Sequence, residues 1–166
     1  MITCKHIERS DTAHDSIPDE RLIEQNIVDT VTLDETDRHR RRLLLTSDGG
    51  IEFLLDLQAV TLLRHGDVLR LSDLRGILVQ AKPENLYEVY GKDALHLLTL
   101  TWHIGNRHLA TQIKADHVRI RHDAVIRNML EQLGARVEEV QAGFNPQGGA
   151  YGDAPAAHHT HTHDHN

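Results

Sequence analysis

The sequence predicts an α+β chain: an N-terminal all-β domain over residues 1–75, a βαββαβ domain over residues 76–143, and a loop with a disordered His-rich tail over residues 144–166. Three observations point to it. Apolar runs of strand length around Gly-rich turns dominate the first part. Beyond residue 76, stripes of helical period alternate with short strand runs. Five of the chain's fourteen histidines fall in the last nine residues, where no large apolar side chain could anchor a fold.

The β domain rests first on a hairpin. Arg40–Thr46 and Ile51–Leu57 flank Ser47-Asp48-Gly49-Gly50, two strand-length runs about a turn. Leu63-Arg64-His65-Gly66-Asp67-Val68-Leu69 places a second turn at Gly66-Asp67 before a strand over Val68–Leu71, and Ser72–Gly76 reads as the boundary. Ile77–Ala81 is a strand or connection, and Leu86–Tyr90 a strand that Gly91 ends. Ala94, Leu95, Leu97, Leu98, Leu100, Thr101 and Trp102 then give a helix with a broad apolar side. Lys92, His96, Thr99 and His103 share its polar stripe, and Gly105 stops it. Ala110–Ile113 and His117–Arg121 form two strands. Asp123 caps a helix carrying Ile126, Met129, Leu130 and Leu133, with Gly134 as its stop, and Arg136–Val140 closes the order. From Leu86 onward this is the split β-α-β, ferredoxin-like pattern.

Composition excludes several classes. Net charge is −7 with histidine neutral, which argues against nucleic acid or an anionic membrane as a partner. No apolar run reaches the length of a membrane span, and the start carries no signal-peptide core. The single cysteine, Cys4, makes neither an intrachain disulfide nor a cysteine-based metal site. The chain therefore reads as soluble and cytoplasmic.

The chemistry lies in imidazole. His158, His159, His161, His163 and His165 with Asp164 form a multidentate ligand set suited to nickel, copper or zinc. A purification tag and an inert low-complexity tail are the competing readings. His6, His14, His39 and His65 read as surface residues, and His96 and His103 stand too far apart for chelation on one helix. His117 and Arg119 read as a solvated strand face, and His122 beside Asp123 as a cap neighbour or a ligand. His108 follows Gly105-Asn106-Arg107 at a helix end, where a turn can hold a side chain outward. No catalytic motif is present, so the chain is read as a non-enzyme.

Taken together, these blocks resemble the UreE family of urease accessory proteins, which are nickel metallochaperones. Trp102-His103-Ile104-Gly105-Asn106-Arg107-His108 is similar to the family's Y-H-[LI]-G-N-R-H. Leu63–Leu69 resembles its L-x-x-G-D-x-L, and Arg38–Arg42, Leu54–Leu57, Asp123–Gly134, the Phe144–Tyr151 segment and the His-rich end follow in the family's order. The resemblance implies a homodimer whose C-terminal domains meet, with nickel held at the two-fold axis by His108 of each chain. It implies His103 as the accompanying histidine, and leaves open whether dimers pair into a tetramer through shared metal. A peripheral H-x-H pair found in some members reads here His122-Asp123-Ala124, leaving only His122 as a ligand.

The resulting expectation is nickel delivery to the urease apoprotein alongside other accessory proteins, including a GTPase, with the N-terminal domain binding a partner or peptide. Two rivals stand beside it. One is general zinc, copper or nickel storage through the tail. The other is a hydrolase using a metal-bound water at His103 and His108.

Overall fold

A computed structural model describes residues 1–9 and 26–148; the expectations for residues 149–166, including the tail histidines, lie outside the described residues. The order is β1 (Thr3–Glu8), β2 (Ile27–Leu33), α1 (Glu35–Arg38), β3 (His39–Thr46), β4 (Glu52–Leu62), β5 (Val68–Leu71), β6 (Gly76–Ala81), β7 (Pro83–Tyr90), α2 (Ala94–Gly105), β8 (Thr111–Ile113), β9 (Val118–Arg121), α3 (Ala124–Gln132) and β10 (Arg136–Gly143). The architecture is mixed α+β, mostly strand, in two sheets.

The first sheet has the strand order β2-β6-β5-β1-β4-β3. Its centre joins β1 to β4 in parallel and to β5 antiparallel, with a register shift between Cys4 and His6. The hairpin β3–β4 forms as the apolar runs require, with Leu45 opposite Phe53. Cys4, Phe53, Leu55, Leu69, Ile77 and Val79 are fully buried in its core. The hairpin turn also reaches the far edge of the sheet: Asp48 N–H donates to the Thr30 carbonyl at 2.8 Å, and Ser47 Oγ donates to Asp29 at 2.5 Å. The sheet therefore curls until its two edge strands meet at this turn. A Cβ at Gly49 would lie 2.5 Å from the Asp29 carboxylate, so the approach requires glycine.

β6 pairs with both β5 and β2. The change of sheet thus falls at Lys82-Pro83, later than the break read at residues 75/76, because an apolar run shielded on both faces completes the first core rather than opening the second. Asp67 in the Gly66-Asp67 turn is fully buried; its carboxylate accepts from Arg64 N–H at 2.8 Å and Arg9 Nη1 at 2.6 Å.

The second sheet has the order β10-β7-β9-β8, and its elements run β-α-β-β-α-β. Tyr87, Val89, Val118 and Ile120 point to one face, where Leu100 and Ile104 of α2 and Ile126 and Leu130 of α3 cover them. The Asp123 cap and the Gly134 stop form as read, with Asp123 accepting from Val125 and Ile126 N–H and Gly134 at φ 84°; Asp93, which the sequence reading did not single out, caps α2 by accepting from His96 N–H. The apolar side of α2 is only half used. Leu95, Leu98 and Trp102 stay 75%, 67% and 63% exposed.

The halves are joined through α1. Arg38 is fully buried and donates to the carbonyls of Leu63 (3.1 Å) and Phe144 and to Asn145 Oδ1 (3.0 Å). Glu35 pairs with Arg121 of β9, and Glu84 accepts from Glu35 N–H at 2.9 Å.

Candidate metal centre

The end of α2 builds the site. Leu100 and Ile104 are fully buried and fix the helix on its sheet. Beyond it the chain tightens: Arg107 N–H donates to Ile104 O at 3.0 Å and His108 N–H to Gly105 O at 2.9 Å. His108 then adopts φ 56°, in the left-handed region. Histidine tolerates that region better than most residues. Its side chain is exposed. His103 lies five residues earlier, in the last turn of α2, half-buried, with Trp102 edge-on at 5.0 Å, and its carbonyl accepts from Arg107 Nη1 at 3.0 Å.

His96, His117 and His65 are already engaged. His96 accepts from Lys92 N–H at 3.0 Å through Nδ1, and its Nε2 lies 2.9 Å from Leu133 O, tying the two helices together. His117 places Nδ1 2.7 Å from Asp116 and Nε2 3.3 Å from Glu88, which also accepts from Arg119 and Tyr90. The sequence reading left this strand face to solvent, yet only 13% of the His117 side chain is exposed. The signal that finds it is register, since β7–β9 pairing sets Glu88 opposite Arg119. The Tyr90 phenol is pushed up to about 12 by its hydrogen bond to Glu88. His65 accepts from Ala81 N–H at 3.2 Å.

His122 is divided between roles. Nε2 lies 2.8 Å from the Tyr87 hydroxyl, the rings stack at 4.3 Å, and Glu139 stands 3.8 Å away. It lines a surface depression with Asn85, Glu139 and Gln141, apart from the turn that carries His108. By contrast, the rings of His103 and His108 have no hydrogen bond or ion pair among the described residues. No group of three or more His, Cys, Asp or Glu able to hold an ion occurs among the described residues. What the turn offers is two free imidazoles beside an exposed apolar stripe, a donor set that suits a borderline divalent ion once further ligands join it.

Two family descriptions match the chain. The N-terminal domain of the UreE urease accessory protein matches residues 12–82, and its C-terminal domain matches residues 84–166. Among curated relatives, the urease accessory protein UreE of Chelativorans sp. (strain BNC1) is 58% identical over 82% of this chain and 89% of its own length. That of Brucella anthropi is 43% identical over 91% of this chain and 84% of its own. That of Rhodopseudomonas palustris (strain HaA2) is 55% identical over 77% of this chain, which spans 59% of the relative's length. The fold and these matches define the class as urease accessory proteins. Within that class, the chain belongs to the UreE family. No described helix is long and apolar enough to cross a membrane.

Proposed function

We propose that the chain binds Ni(II) and delivers it during urease metallocentre assembly, acting in the cytoplasm as a chaperone without catalysis of its own. The observation that carries this is the free pair His103 and His108 on a turn whose backbone is held in the left-handed region. One such turn supplies too few ligands for a stable site. A two-fold axis would double them, because an isologous interface brings the same residue from both chains together. The stripe Leu95, Leu98 and Trp102, leading along α2 toward the turn, supports that axis. So does the apolar groove between α2 and Ile113 of β8. The order β10-β7-β9-β8 supports reading the C-terminal half as a ferredoxin-like dimerisation domain.

In this reading His108 is the fixed ligand and His103 its neighbour. His158, His159, His161, His163 and His165 complete or feed the site, and His122 is a peripheral ligand. Zn(II) and Cu(II) compete for the same imidazoles, and copper has the higher intrinsic affinity. Release proceeds by ligand exchange in a complex with the urease apoprotein and other accessory proteins, among them a GTPase; the N-terminal domain supplies a partner or peptide contact. Metal shared between dimers would join two of them into a tetramer.

The test is nickel titration of the full chain and of a chain lacking residues 156–166, each with and without His108→Ala. The tail-less protein retains one ion per two chains, and His108→Ala abolishes it. Tail-less protein that binds none would instead favour storage through the tail.

A further inference from the structure

Lys82 alone separates β6 from β7, so the covalent connection between the two halves is one residue long. The polar contacts across the junction centre on α1, a single turn that buries two charged residues, Glu35 and Arg38. On β7 and β9, Tyr87, Val89, Val118 and Ile120 face the helices, so alternation turns Glu84, Leu86 and Arg121 to the opposite face. α1 docks on that face. Glu35 pairs with Arg121, Thr36 Oγ1 accepts from Arg121 Nη2 at 3.1 Å, and Glu84 Oε1 accepts from Glu35 N–H at 2.9 Å. Leu86 is fully buried there, away from the core beneath the helices. So is Phe144, whose ring centroid lies 5.7 Å from the Arg121 guanidinium.

Arg38 draws its acceptors from both halves: Leu63 O at 3.1 Å from the first, Phe144 O and Asn145 Oδ1 (3.0 Å) from the second. Asn145 Oδ1 also accepts from His65 N–H at 3.3 Å, so one amide oxygen holds two donors of the N-terminal half. Parting the halves would strip two acceptors from a fully buried guanidinium, the costly way to break a buried polar cluster. A short connection, by contrast, fixes the separation of two domains but not their angle. We infer that α1 is a latch. It, rather than Lys82, sets the angle between the halves and seats the N-terminal half on the face of the second sheet opposite α2 and α3. The α2 face that carries Leu95, Leu98 and Trp102 thereby stays clear of the N-terminal half. The halves separate only by giving up the Arg38 and Glu35 contacts together.

The test reads the distance between the halves. Cys4 is fully buried and burial pushes its thiol up to about 11, so labels go to introduced cysteines only. The full chain carries spin labels at Leu44→Cys and Val125→Cys, exposed sites of the two halves. It is diluted into unlabelled chain so that only distances within one chain are measured. We expect one narrow distance distribution in this parent, widened at least about twofold by Asn145→Leu and by Arg121→Gln. Asn145→Asp, which keeps the acceptor oxygen, should be as narrow as the parent. Asn145→Leu decides where it folds; where it does not, Arg121→Gln, at the half-exposed rim of the junction, decides instead. A parent already as broad as the variants overturns the latch, as does a deciding variant that loses stability without widening. Asn145→Asp as broad as Asn145→Leu overturns it too.

Discussion

Histidines that look alike in sequence separate by what their rings touch. His96 uses both ring nitrogens within the fold and His117 is buried between Asp116 and Glu88, whereas the rings of His103 and His108 have no hydrogen bond or ion pair among the described residues. His96→Ala removes partners from Lys92 N–H and Leu133 O, and should cost about 1–3 kcal/mol in urea denaturation. His108→Asn keeps a side chain that accepts the left-handed backbone, so stability should stay within about 0.5 kcal/mol while the fixed nickel site is lost. A large stability loss in His108→Asn would assign that histidine a structural role.

Acid sensitivity is also set by single residues. The Asp29 carboxyl is held below its usual range by the Ser47 hydroxyl first, with the Thr30 and Gly49 amides assisting against burial. Burial pushes Asp48 up, but hydrogen bonds from Thr30 and Thr32 outweigh it and hold it low as well. A depressed folded-state pKa contributes stability above the unfolded value of about 3.9, lost as pH falls through the folded one. Asp29→Asn should therefore lower the urea midpoint near pH 7 and flatten its fall between about pH 4 and pH 2. A midpoint that runs parallel to wild type through that range would contradict this.

At the scale of elements, α2 carries two separable functions. Ile104 locks it to the sheet, and Ile104→Ala should cost about 2–5 kcal/mol, read by thermal or urea unfolding. Leu98, 67% exposed, makes no such contribution within one chain. If the stripe forms the seam of the proposed dimer, Leu98→Glu should halve the sedimentation mass of wild type, and a variant of unchanged mass would exclude this stripe from such a seam. Both helices, the Asp123 cap and the β3–β4 hairpin were legible in the sequence because their signals are local. β1, β2 and α1 were not. The shift between Cys4 and His6 breaks the period in β1, and α1 is a single turn capped by Asp34. The end of the first sheet was misplaced because β6 is defined by distant partners, β2 and β5. The free state of His108 was only hinted at by the Gly105-Asn106-Arg107 turn; it becomes visible once the rings of His96, His117 and His122 are seen to be engaged.

At the scale of the molecule, Arg38 couples a curled β sheet to the C-terminal sheet, and the α2 face beside the His108 turn is left exposed. Imidazole binds metal only when deprotonated, so nickel affinity should fall steeply below about pH 6.5. Equal affinity near pH 7.5 and pH 5.5 would mean that carboxylates, not histidines, hold the ion. The most direct test of the central claim is nickel stoichiometry measured together with oligomeric mass on protein lacking residues 156–166. The account predicts a dimer holding one nickel per two chains, lost with His108→Ala. A tail-less dimer that binds no nickel, or one that binds it equally well without His108, would contradict it.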